Sequence, residues 1–181
     1  MSIIIREAKL EDAEDIAFVH TMAWKESYPG MIDQDYLDHE VTLESRIKRR
    51  REGLSNPDSQ HTHLLAEYKG KTVAFACYGP FRENVHVTSP PEGEISAIYI
   101  LDKAKRKGIG QKLFHTIICA LLKNDIQSMG IWVLQNNHPA RHFYKKMGGI
   151  IDLTDVPISI GEKEYTECLY RYNDLTHIID V

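Results

Sequence analysis

The sequence predicts an α+β fold, one layer of sheet with about seven strands covered by about four to five helices. Three observations carry this. Apolar runs of strand length, such as Ile95–Leu101, are separated by longer stretches of helical period. Turn residues, including the pairs Lys69–Gly70 and Gly161–Glu162, punctuate them at hairpin spacing. Finally, the stretch Glu94–Leu113, EISAIYILDKAKRKGIGQKL, runs from a strand through cations and glycines into a helix.

The elements follow in order. Ile3–Arg6 is a first strand. A helix from Leu10 or Glu11 to Lys25 has Glu11, Asp12, Glu14 and Asp15 in its first turns, where the helix dipole favours acids. Its inner face is Ile16, Val19, His20, Ala23 and Trp24. It breaks before Tyr28, Pro29 and Gly30. A short helix near Asp33 carries Tyr36 and Leu37, and a third spans Leu43–Glu52. The basic run Arg46, Lys48, Arg49, Arg50, Arg51 on that helix reads as a solvated face, because no aromatic residues interleave with it for base stacking. A polar loop, 53–60, precedes a hairpin of His63–Tyr68 and Thr72–Tyr78. The long irregular stretch 79–93 then leads into Glu94, and such loops are often functional. Beyond the central helix come a strand at Ile131–Leu134, a helix opening near Pro139 and ending at Gly148–Gly149, and last strands at Ile150–Leu153 and Glu164–Tyr172.

With 181 residues, 43% of them hydrophobic, the chain reads as a single domain, 1–181, with a core to bury. Lys plus Arg number 22 against 26 Asp plus Glu, a net −4, so nothing global favours nucleic acid or an anionic membrane. Cys77, Cys119 and Cys168 are odd in number, lie in apolar stretches and lack metal-ligand spacing; they read as buried thiols in a reducing compartment. The opening MSIIIREAKL is too short and too soon charged for a signal peptide, and no apolar run reaches about 18 residues. A cytoplasmic protein without metal is the expectation.

The strand, glycine, helix junction is physically an anion cradle. Glycine lets the backbone turn its N–H groups inward, and the first-turn amides of a helix favour negative charge. Lys105, Arg106, Lys107 and Lys112 add positive charge there, so a phosphate or pyrophosphate is the natural ligand. A P-loop would need Lys and then Ser or Thr after Gly110, where Gln111 and Lys112 stand. A dinucleotide fingerprint would need glycine at Leu113.

The arrangement resembles the acetyl-CoA signature of the GNAT superfamily of N-acetyltransferases: Gln or Arg, two residues, then Gly, any residue, and Gly or Ala. Here it reads Lys105, Arg106, Lys107, Gly108, Ile109, Gly110, with Lys at the first position. A second block follows at Asn137, Ala140, Phe143, Tyr144 and Gly148. The resemblance implies a mixed, mostly antiparallel sheet whose fourth and fifth strands splay so that acetyl-CoA enters between them. It implies acetyl-CoA as co-substrate, a small-molecule amine as partner, and room for a homodimer.

Acetyl transfer to an amine needs a neutral amine, a polarised carbonyl and a proton for the leaving thiolate. An alkylamine with a pKa near ~10.4 is almost wholly protonated at neutral pH, so a base is required. Glu94 heads the central strand where family members with a glutamate base carry it; Glu83 and His86 on the preceding loop are the reserves. By resemblance the amide of Ile98 polarises the carbonyl, and Ile100, with Tyr99 between them, pairs the pantetheine arm. The residues from Lys105 through Ile109, Gly110, Gln111 and Lys112 hold the pyrophosphate. Asn137 bonds the arm, with Asn136 as the alternative contact or helix cap. Tyr144 is the acid, against a plain packing role. Trp24, Tyr28 and Tyr36 resemble an aromatic acceptor wall, or else are core. The sequence leaves the acceptor open among polyamine, amino acid, antibiotic and peptide N-terminus. A CoA-binding sensor without turnover is the competing function.

Overall fold

The computed structural model describes residues 2–178. The strands are β1 (Ile3–Glu7), β2 (Thr62–Tyr68), β3 (Lys71–Pro80), β4 (Gly93–Ile100), β5 (Met129–Leu134), β6 (Ile150–Ile160) and β7 (Lys163–Tyr172). The α-helices are α1 (Ala13–Ser27), α2 (Gln34–His39), α3 (Leu43–Ser55), α4 (Ile109–Lys123) and α5 (His138–Lys146). Hydrogen bonding orders the sheet β1-β2-β3-β4-β5-β7-β6. The expected mixed α+β fold is therefore present. The chain divides into two compact units, one of residues up to Cys77 plus Ala97–Phe114, the other of Tyr78–Ser96 plus His115 onward.

In the first unit, β1 pairs antiparallel with β2 from Ile3↔Tyr68 to Glu7↔Leu64. Ile16 and Val19 of α1 pack with Phe75 and Leu101, and Ala8, Met22, Leu54, Ala97 and Tyr99 lie against that group. Their spacing on α1 is the apolar stripe read from the sequence. Asp12 does more than complement a dipole. It is buried, takes both arms of Arg6 at 2.8 Å and accepts from the Lys9 amide at 2.7 Å. The bond from Arg6, then that from the Lys9 amide and the Arg6 charge, hold the Asp12 carboxyl below the usual carboxylate range despite burial.

In the second unit, β5 and β7 pair antiparallel from Met129↔Tyr172 to Leu134↔Glu167. The head of β4 runs parallel to β5 through Gly93↔Met129 and Glu94↔Gly130, where the described ladder ends; this is the splay that the resemblance implies. Strand β5 begins two residues earlier than expected because Gly130, an unlikely strand residue, is required there. A Cβ at that position would sit 2.7 Å from the Phe81 ring and 3.0 Å from Leu169.

Other features also differ from expectation. Strand β3 runs on to Pro80, so the irregular stretch is 81–92, and the Phe81 amide closes it onto the Glu92 carbonyl at 3.1 Å. Helix α3 continues through Gly53 to Ser55. Strand β6 is 11 residues long, since Pro157 is tolerated on an edge strand and the register jumps between Ile151, Leu153 and Val156 absorb the extra residues. Cys119 is exposed, in contrast to Cys77 and Cys168, because it falls off the Leu113, Phe114, Ile117, Ile118, Leu121 face of α4. Among the described residues no helix is long and apolar enough to cross a membrane.

Candidate active site

The cradle folds as its residue types dictate. After β4, a 3-10 turn at Asp102–Ala104 leads to Arg106 at φ 59° and Gly108 at φ 79°. Two left-handed residues in three turn the chain sharply into α4. The Lys112 amide bonds the Gly108 carbonyl at 3.0 Å, so the amides of Ile109, Gly110 and Gln111 precede the helical ladder. A Cβ on Gly108 would meet nothing within 4 Å, which leaves the backbone open to approach, and Arg106 and Lys107 are exposed beside it. Such a surface fits a pyrophosphate.

Lys105 and Lys112, and Lys107 through its ammonium, also bond within the fold. Lys105, which stands where the signature has Gln or Arg, bonds Asp102 at 2.6 Å and the Ser27 hydroxyl at 3.2 Å. With the Asp102 amide bonded to Glu26 at 2.8 Å, it pins the 3-10 turn to the end of α1. The Lys107 ammonium bonds the Lys103 carbonyl at 2.8 Å, and that of Lys112 reaches back to the Ile3 carbonyl at 2.7 Å. On β4, Ile98, Tyr99 and Ile100 are all half-buried.

Trp24 and Tyr28 belong to an aromatic cluster larger than the sequence indicates. Trp24 and Tyr28 lie edge to face at 4.8 Å, and the Tyr28 and Tyr99 hydroxyls are 3.2 Å apart. Tyr99 stacks on Phe75 at 5.6 Å and meets His20 at 4.8 Å. Tyr36, half-buried on α2, adds its electrostatic influence to Arg46. The solvated-face reading of α3 is corrected here for two residues. Arg50 is buried with its guanidinium 5.1 Å from the Phe75 ring, and Arg46 is half-buried with its own 4.7 Å over Trp24. They are four residues apart, on one helix face, whereas Lys48, Arg49 and Arg51 are exposed. Burial, then the neighbouring arginines, keep His20 neutral, and burial and Arg50 lower His63 to about 4. Both imidazoles thus accept from Arg50, at 3.4 and 3.3 Å on Nδ1.

The two expected catalytic residues both lie in the second unit. Glu94 is 1% exposed, and both its oxygens are taken by Arg82: the amide at 3.0 Å, Nε at 2.9 and 3.1 Å, Nη2 at 2.6 Å. Sequence reasoning missed Arg82, although a cation on the loop facing a buried acid was a signal that could have found it. It also missed Glu167 on β7, whose carboxyl is pushed up to about 7, by burial first, with Arg82 lowering and Glu94 raising it. Tyr144 is buried on α5, its ring 5.5 Å from Phe143 and 6.1 Å from Tyr170. Asn137 is the N-cap of α5, accepting from the Ala140 amide at 3.2 Å, while Asn136 is exposed and has no capping role. Glu83 and His86 are exposed on the 81–92 loop.

The profile of the GNAT acetyltransferase family matches residues 16–149, and the chain belongs to that family. An uncharacterized N-acetyltransferase of Bacillus subtilis, YuaI, is 34% identical over 79% of this chain and 78% of its own length. A spermidine N(1)-acetyltransferase of Thermoplasma acidophilum is 25% identical over 91% of this chain and 99% of its own. The solved structure of an N-acetyltransferase from the same organism in complex with coenzyme A superposes with a TM-score of 0.75 at 19% identity, over 96% of this chain and 99% of that one. The protein is an N-acetyltransferase.

Proposed function

We propose that the chain transfers an acetyl group from acetyl-CoA to a primary amine of a small molecule by direct attack of the amine. The observation that carries this is the open left-handed turn at Gly108 ahead of the free first-turn amides of α4. Acetyl-CoA supplies an acyl group already activated as a thioester. The amides of Ile109, Gly110 and Gln111, with Arg106 and Lys107, hold its pyrophosphate. The backbone of Ile98 and Ile100 pairs the arm, and the Ile98 amide donates to the carbonyl oxygen as negative charge grows there. Asn137, whose Oδ1 is used by the helix, offers its Nδ2 to the same arm.

The amine must lose a proton and the departing sulfur must gain one. Glu94 and Glu167 form the base between them: Glu167, whose carboxyl is pushed up to about 7 by burial, carries the proton, with Arg82 lowering and Glu94 raising it. The Tyr144 hydroxyl protonates the thiolate. The new C–N bond forms as the C–S bond breaks; one proton passes from the amine nitrogen to the carboxylate base and one from the Tyr144 hydroxyl to the departing sulfur, so the step balances without an oxidant. Calorimetric titration with acetyl-CoA tests the reading: binding that weakens with salt and is lost in Gly108→Asp supports it, and no binding at millimolar ligand overturns it.

A further inference from the structure

Arg46, half-buried, and Arg50, buried, are two neighbouring guanidiniums without an acid. Among the described residues no carboxylate pairs with either; the groups acting on them are Tyr99, Tyr36, Cys77 and the neighbouring arginines. Arg46 Nη1, Arg50 Nε, the Trp24 indole Nε1 and the Thr21 hydroxyl are all buried without a hydrogen-bond partner. The first three can only donate. Arg50 spends its two other nitrogens on neutral imidazoles, weak partners for a charge that burial has stripped of water. Desolvation lowers the pKa of Arg46 to about 10, a sign of how poorly its charge is compensated. An apolar side chain would fill this space at less cost, so the pair of forks is best explained by an anion that arrives with a ligand.

The same residues frame the aromatic cluster: Arg46 lies over Trp24, and Trp24 is packed with Tyr28 and faces Tyr99 at 6.4 Å. We propose that the acetyl acceptor is an amine that also bears a carboxylate, an amino-acid-like molecule, with Arg46 and Arg50 taking the carboxylate and Trp24, Tyr28 and Tyr99 enclosing the carbon body. This rests on the acetyl-transfer reading above. A polyamine is disfavoured by the same charges, since each added ammonium would enter beside two unpaired guanidiniums.

The test uses binding without acetyl-CoA, so that it fails or succeeds apart from the cofactor titration. The chain has two tryptophans, and in a Trp132→Phe background the fluorescence of Trp24 reports on this site. Leucine, phenylalanine and glutamate are titrated against their α-carboxamides and against spermidine. The acids should bind at least tenfold more tightly than the amides. Arg46→Met and, separately, Arg50→Met should collapse that ratio toward one, while Arg49→Met, at an exposed position on the same helix, should preserve it. Arg46 is half-buried, so its variant keeps the test alive if Arg50→Met does not fold. Equal affinity for acid and amide, tightest binding of spermidine, no saturable response to any acid at millimolar concentration, or an equal collapse in Arg49→Met would each overturn the proposal.

Discussion

Tyr172 donates its hydroxyl to the Tyr144 carbonyl across 2.9 Å in the protein interior. The Gly149 amide serves the same oxygen at 3.0 Å, and a Cβ on Gly149 would come within 2.7 Å of the Tyr172 hydroxyl. The bond thus fastens the end of α5 to β7 and fixes the backbone of the residue assigned as the acid. Tyr172→Phe should cost about 0.5–1.5 kcal/mol, because Gly149 still satisfies the carbonyl. A lower urea midpoint at constant slope is the expected record; an unchanged midpoint would show that the bond has no net value.

Tyr144→Phe removes one hydroxyl and leaves the packing volume. Turnover should fall by a factor on the order of 10²–10³ with the urea midpoint close to that of the parent. Full activity in a stable variant would return Tyr144 to a packing role.

Glu167 and Glu94 can be separated by the pH profile of kcat/KM. With the Glu167 carboxyl at about 7, the rate should rise with pH through that region as the base form appears. Glu167→Gln should remove that limb. Glu94→Gln should shift it to lower pH, because the charge that raises Glu167 is gone while Arg82 remains. A limb left in place by both substitutions would assign the base elsewhere, with Glu83 or His86 next to test.

Acid should destabilise the fold in two windows. His63 is held down to about 4 by burial and by Arg50 and His61, against ~6.5 in an unfolded chain, so between those values the unfolded state binds the extra proton and stability drops as pH falls. Asp12 is depressed by Arg6, so its contribution is complete above about 4 and is lost on further acidification. Relative to the parent, the urea midpoint should therefore fall less steeply with acid between about 6.5 and 4 in His63→Gln and below about 4 in Asp12→Asn, with His20 and Glu167 contributing equally to parent and variants. Parallel curves for parent and variants would refute both assignments.

Gly130→Ala should destabilise by about 1–3 kcal/mol through overpacking, since the added methyl meets Phe81 at 2.7 Å, Leu169 at 3.0 Å and Pro91 at 3.1 Å. Thermal unfolding measures it directly, and a parental Tm would mean that the Phe81 ring moves aside freely.

Most of the architecture was legible because it is written in local periodicity. The stripe on α1, the face of α4, the hairpin at Lys69–Gly70 and the proline opening α5 all depend on neighbours a few residues away. What stayed hidden depends on distant partners. Nothing near Gly130 announces a strand, because its reason is Phe81 and Leu169. A helix with charges at 46, 48, 49, 50 and 51 looks wet along its length until Trp24 and Phe75 receive two of them. Glu94 was readable as a candidate by position, yet Arg82 and Glu167, which set what it can do, are brought to it only by the 81–92 loop and by β7.

The outermost strand, β6, has a consequence for how copies of the protein meet. Pro157 carries no N–H to offer a neighbour, Asp155 turns through φ 58°, and the spacing slips twice between Ile151 and Val156. A second chain laid along this border would find a regular ladder only from Val156 to Ile160, and Pro157 interrupts its donors there, which disfavours sheet-to-sheet pairing on that side. Contacts made along this border would therefore lean on side chains more than on backbone pairing.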